Sequence, residues 1–395
     1  MTERHYDLWS PSTRANPRPL YARMRQEAAI VRIEEPIHHL PLWLVTRYPD
    51  IMEVLRDPRL TKDVRNLTRG QGSHQSRSPL DALTRHMLST DPPSHTRLRS
   101  LVSQAFTPRR IESLRARVHT IASELLDNAL AESRVDFVSA YALPLPLIVI
   151  TELLGVPAED RNRFHAWTQA MVTPRGDTLT AGLAFIDYLQ QLLTKHRAHP
   201  GEDLVSALLE AEEQSDTLSG EELMATTFLL LGAGHETTVS LLSGGLLALL
   251  QNPEQYERLH DDGALLPGAV EEMLRYCSPS EMTSARFPVD DIVVCGQLVP
   301  AGEMVLASLM SANHDPAVFP EPERFDVGRT PNKHVAFGLG SHHCLGASLA
   351  RLEAMVTFEL LLERARQPRL AVEPEYLAWR EGTLLRGLQA LPVVL

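Results

Sequence analysis

The chain has 395 residues, 44% of them hydrophobic and 22% charged, ample apolar material for a large core. Its formal net charge of −12 argues against a general nucleic-acid binder. Three cysteines, Cys277, Cys295 and Cys344, are too few and too scattered for a disulfide framework and fit a reducing cytoplasm.

In chain order, the polar start Met-Thr-Glu-Arg-His-Tyr-Asp reads as neither a signal peptide nor an anchor. Trp43-Leu44-Val45-Thr46 reads as a strand, and the Gly/Ser-rich residues 66–79 as a long mobile loop. Residues 93–250 carry helical periodicity with few β-rich runs. The greasy stretch 142–154 is interrupted by Pro144 and Pro146 and is too short to cross a bilayer. The stretch 228–250 is long enough, but His235 and Glu236 near its middle would be costly in lipid. A buried helix crossing a functional site explains it better. Ser219-Gly220-Glu221-Glu222 has the form of a capping box and opens a helix expected to run on towards Leu250. A further helix is expected around residues 269–276. Residues 292–294 and 304–306 then read as strands flanking the turn signal Pro300-Ala301-Gly302. An irregular Pro-rich segment, 313–331, precedes a helix beginning near Leu345. The reading is mainly α with a small β portion, although length alone would suggest two or three domains.

The strongest chemical signal is Phe337-Gly338-Leu339-Gly340-Ser341-His342-His343-Cys344-Leu345-Gly346. Its glycines permit turns barred to other residues and close approach to something flat. A thiol at a helix start has its thiolate favoured by the dipole and the free N–H groups, and such a loop can present sulfur to a metal. In isolation a cysteine is commonly just a small buried hydrophobe. A zinc reading of His342-His343-Cys344 is disfavoured, because adjacent residues rarely converge on one tetrahedral centre and no partner cysteine lies at zinc-site spacing.

The second signal is Ala233-Gly234-His235-Glu236-Thr237-Thr238, where Leu230, Ala233 and Thr237 share one helix face. Small residues leave room there and Thr237 puts a hydroxyl into it. A packing face with the threonine bonded back to its own backbone is the plainer alternative, but it leaves the acid unexplained. Glu272 and Arg275 sit at i, i+3, and His95 and Arg99 at i, i+4, each pair on one helix face. Arg97, Arg99, Arg109, Arg110, Arg115 and Arg117 are met in their stretch only by Glu112, so they could form a basic patch on an acidic protein.

Phe-x-x-Gly-x-x-x-Cys-x-Gly resembles the heme-binding loop of the cytochrome P450 family. Residues 233–238 resemble that family's distal helix, and Glu272-Met273-Leu274-Arg275 its Glu-x-x-Arg element. The elements run in family order from about residue 41 to 391. The resemblance implies one large, mostly helical domain over residues 1–395, against the length prior. It implies heme b with Cys344 as axial ligand, lined by Phe337, Gly338, Gly346 and Ala233, with His95, Arg99, Arg286 and His342 on the propionates. Thiolate ligation favours O–O cleavage. Thr237 would steady dioxygen and water while Glu236 helps relay protons. Glu272, Arg275 and Arg324 would hold the thiolate loop.

By the same resemblance, substrate contacts come from Met87, Met171, Leu230, Ala233, Met282, Thr283 and Thr383, within segments that include residues 167–183. That mixture suits a medium-sized lipophilic molecule of secondary metabolism, hydroxylated or epoxidised with one atom of O2. No fused reductase segment is visible, so a ferredoxin- or flavodoxin-type donor with its own reductase would dock on the arginine patch. Neither nucleic acid nor a membrane anchor is expected, and the location is cytoplasmic. A peroxide-driven heme-thiolate enzyme is the alternative, although it could dispense with the Glu236-Thr237 pair. A non-catalytic heme sensor would leave the whole constellation without a use.

Overall fold

The computed structural model describes residues 6–34, 40–68, 78–172, 176–215, 218–382 and 384–395. Most of these residues are in helices, and one apolar cluster runs through the helical part from Leu83 to Val393. The expectation for residues 66–79 falls mostly on positions outside the described residues, as does Thr383.

The small β part lies to one side. Strand Pro41–Val45 pairs antiparallel with Ile30–Glu34 and parallel with Met304–Ala307. Leu42, Leu44 and Val45 are buried there. The expected turn at Pro300-Ala301-Gly302 does not join the two strands read from the sequence. Ile292–Val294 turns back earlier and pairs with Gln297–Val299. The reversal sits at Cys295 and Gly296, with φ of 49° and 78°. A left-handed cysteine is not a turn signal, and so the extra strand was not expected.

The capping box forms as expected: Glu222 N–H donates to Ser219 Oγ at 3.2 Å, and Ser219 N–H donates to Glu222 Oε2 at 2.9 Å. The helix it opens does not reach Leu250. It runs Gly220–Ala233, breaks at Gly234 and His235, and resumes as Glu236–Gln251. The second half packs against helices Leu266–Cys277 and Ala347–Arg364, the latter following directly on the cysteine loop. No described helix is long and apolar enough to cross a membrane.

Candidate active site

The cysteine loop is shaped by its glycines. Gly338 and Gly340 adopt φ of 67° and 75°, a region that strains any other side chain. Gly338 N–H donates to the Val335 carbonyl at 2.8 Å, and Cys344 N–H to the Phe337 carbonyl at 2.9 Å, which closes the loop on itself. Cys344 opens into a cavity of about 1290 Å³. The protein encloses that opening, and this burial raises the thiol above its ordinary range, opposed by the Gly346 backbone N–H and by Arg99 and Arg351.

Two adjacent acids of helix Leu266–Cys277 hold the loop. Glu272 and Arg275 have fully buried side chains, and Arg275 Nε and Nη2 donate to Glu272 at 2.7 and 2.8 Å. The second guanidinium on Glu272 is Arg329, at 3.1 Å. Arg324, expected in that place, points out to solvent and pairs with Glu321. Only its main-chain carbonyl takes part, accepting from Arg275 at 3.1 Å and from Arg329 at 2.8 Å. Phe325 is the residue that turns inward, which leaves Arg324 facing out. On the other acid, Glu271, Arg351 donates at 2.6 and 2.8 Å and His334 approaches at 2.9 Å. Burial raises the Glu271 carboxyl, but Arg351 and His334 bring it down to about 2. The Arg351 guanidinium also lies 4.6 Å above the Phe337 ring, so it braces the loop directly.

Basic groups gather at one edge of the cavity. The His95 and His342 rings are 4.2 Å apart, and neither nitrogen of His95 has a hydrogen-bond partner. Arg99, Arg286 and His342 line the cavity wall, and so does Lys62, which sequence reasoning missed. Lys62 is buried, with its ammonium on the Ser284 hydroxyl. Burial, then Arg286, brings Lys62 down to about 7, and burial brings Arg286 down to about 10. Asp91 offsets both, but it is itself engaged by the Lys62 N–H at 3.1 Å and by Asn66 at 3.0 Å. Such a cluster, short of acids, suits a buried dianion such as the two carboxylates of a heme. The donor set and the cavity therefore fit that group.

The helix break lines the same cavity as Cys344, through Gly234, Glu236 and Thr237. A Cβ on Gly234 would fall 2.5 Å from the Leu230 carbonyl oxygen and 2.6 Å from Ile150, so the position admits only glycine. The His235 ring caps the carbonyl that the break frees, with Nδ1 3.1 Å from Leu231 O. Among the described residues, the Thr237 hydroxyl makes no hydrogen bond. Those of Thr227, Ser240 and Ser243 donate to the carbonyl four residues back at 2.9, 3.1 and 2.7 Å. Thr237 therefore presents its hydroxyl to the cavity.

Glu236 is buried in a knot of partners. Arg380 is on Oε2 and Gln169 donates to Oε1 at 2.6 Å. Burial raises this carboxyl, but His165, His235 and Arg380 outweigh it and hold it well below the usual range. Glu353 shares the cavity and behaves in the opposite way. It is 1% exposed, neither oxygen has a hydrogen-bond partner, and burial pushes it up to about 8 against a small opposing pull from Thr238. Nothing in the sequence marked Lys62, Glu353, Arg380 or Arg329, because each owes its role to a distant element.

Phe337, Gly338, Gly346 and Ala233 line the cavity, as do Met87, Met171, Leu230, Met282 and Thr283. Trp167 does not, and packs instead at 5.6 Å from Phe164 and 5.5 Å from Phe185. The arginine patch is largely neutralised. Arg97 pairs with Glu222, Arg115 with Glu112 at 2.5 Å, and Arg117 with Glu152 at 2.7 Å.

A cysteine loop, a broken helix and a set of basic groups line one cavity, a lining that fits a heme held by a thiolate. A family profile described as Cytochrome P450 matches residues 150–367, and the chain belongs to the cytochrome P450 family, which binds heme b through a cysteine thiolate. It is 43% identical to cytochrome P450 CYP107DY1 of Priestia megaterium, over 98% of each chain. It is 45% identical to the polyketide biosynthesis cytochrome P450 PksS of Bacillus subtilis, over 92% of this chain and 94% of that one. The crystal structure of the myxobacterial CYP267B1 in complex with myristic acid superposes with a TM-score of 0.92, at 43% identity and covering 98% of each chain. The protein is a cytochrome P450 monooxygenase, an oxidoreductase that uses O2 and a lipophilic substrate.

Proposed function

We propose that residues 1–395 act as one heme-thiolate domain, in which the Cys344 thiolate would hold the heme iron and His95, Arg99, Arg286 and His342 would hold its carboxylates. The observation that carries this reading is the Cys344 thiol, which opens into the cavity beside buried cations that Asp91 only partly offsets. Heme b bound under a thiolate activates dioxygen, because the sulfur's electron donation favours O–O cleavage. The protein's own part is positioning, water control and proton delivery. Thr237 places an unengaged hydroxyl on the cavity wall, where it holds a water and passes its proton inward. Glu353, protonated at neutral pH, stores a proton on the same wall. Glu236, held as an anion by Arg380 and Gln169, anchors the helix break and orients this end of the path.

The substrate is a medium-sized lipophilic molecule, hydroxylated or epoxidised in a cavity lined by Met87, Met171, Leu230, Ala233, Met282 and Thr283. A polyketide or a fatty acyl chain fits, in keeping with PksS, a P450 of polyketide biosynthesis, and with the myristic acid bound by CYP267B1. Electrons come from a ferredoxin- or flavodoxin-type donor with its reductase. The neutralised arginine patch leaves Arg109 and Arg110 as the docking charges to test. The three unpaired cysteines suit a cytoplasmic setting.

The test is the spectrum of the dithionite-reduced protein with carbon monoxide. A strongly red-shifted Soret band, lost in Cys344→Ser, is expected. A band typical of histidine ligation, or one that survives the substitution, overturns the reading.

A further inference from the structure

Two histidine nitrogens and one carboxylate oxygen meet on the distal wall, apart from the thiol site. His235 Nε2 lies 3.1 Å and His165 Nδ1 3.4 Å from Glu236 Oε1. All three atoms are within 4.8 Å of one another. His165 comes from helix Arg161–Val172, and His235 and Glu236 from the helix break.

The tautomer makes this meeting informative. His235 Nδ1 faces the Leu231 carbonyl, so a neutral ring carries its proton there and turns the Nε2 lone pair towards Glu236. Two acceptors this close need a positive charge between them. Neither His235 Nε2 nor His165 Nδ1, both buried atoms, meets Glu236 in good hydrogen-bond geometry, although both lie close enough to draw its carboxyl down. A metal ion uses all three lone pairs at once. Ligands about 2.0–2.2 Å from a tetrahedral zinc lie ~3.3–3.6 Å apart, close to the two spacings seen, and two imidazoles with one carboxylate form a zinc set with a position left open.

We propose that His165, His235 and Glu236 bind a divalent transition-metal ion, zinc in the first instance, at the edge of the active-site cavity. His165 is 26% exposed and gives the ion its way in. Gln169 must leave Oε1 to admit it. Arg380 stays on Oε2 and opposes it, which keeps affinity modest. A bound ion takes Glu236 out of the hydrogen-bonded wall next to Thr237 and so acts as a brake on proton delivery. That consequence rests on the function proposed above, whereas the binding does not.

Equilibrium dialysis of the heme-loaded enzyme against zinc chloride, followed by metal analysis, tests it. One zinc per chain at micromolar free zinc is expected. His165→Gln should weaken binding at least about ten-fold while leaving the carbon monoxide spectrum, and hence the fold, unchanged. Arg380→Gln should tighten it, because a competing cation is gone; a purely structural role for these side chains predicts no such gain. Equal affinity in all three proteins, or no uptake at micromolar zinc, overturns the proposal. Zinc that binds without changing product formed per electron consumed leaves the site standing and removes Glu236 from the proton path.

Discussion

Glu272 and Glu236 are both helix carboxylates with side chains at most 2% exposed, yet their surroundings differ in kind. Glu272 is saturated. Arg275, Arg329, Asn332 and the Asp326 N–H all donate to it, from its own turn and one irregular segment. Glu236 is only partly engaged: Gln169 and Arg380 bond to it, and two histidine nitrogens approach it outside good hydrogen-bond geometry. A closed network holds a shape, whereas an unfinished one on a cavity wall has capacity left for a ligand or a proton.

The largest test of this contrast removes the saturated acid. Glu272→Ala leaves Arg275 as an uncompensated charge in the core and should cost about 3–5 kcal/mol, read from the denaturant midpoint. Arg324→Ala, by contrast, should stay within ~0.5 kcal/mol, since its side chain is at the surface. If Arg324→Ala proved the costlier change, the pairing of Arg329 with Glu272 would be wrong.

On the unfinished side, Thr237→Ala should leave stability unchanged while product formed per electron consumed falls. A preserved ratio sinks the proton-delivery role of that hydroxyl.

The smallest effect sharpens the comparison with a third acid, Glu353, whose oxygens meet no donor in good hydrogen-bond geometry and whose burial Thr238 alone opposes. Unfolded, it ionises near 4.5, but folded it keeps its proton to about 8. Between those values the unfolded chain binds fewer protons, so stability falls as pH rises, by at most ~1.4 kcal/mol per pH unit. Thermal unfolding from pH 5 to 8 should show this slope in the native chain and a flatter one in Glu353→Gln. Identical profiles would mean that the carboxyl is not buried uncharged.

Local chemistry was readable directly. The Ser219 cap, the glycine turns before Cys344 and the Glu272–Arg275 pair each lie within a few residues, where spacing and residue type decide the geometry. The helix break lay at the edge of that reach. Gly234 was visible, but the apolar run on both sides argued for continuity, and the Ile150 side chain that makes glycine necessary there comes from a distant helix.

What the sequence by itself determined, then, is the thiol loop, the threonine opposite it and the mainly helical fold. The tertiary structure alone decided that Arg329 and not Arg324 reaches Glu272, that Lys62 and Glu353 face the cavity, and that Arg380 meets Glu236 from 144 residues away. The physical reason is range. A turn or a cap is settled by neighbours along the chain, whereas the inward or outward choice of a charged side chain depends on which distant groups can replace its water.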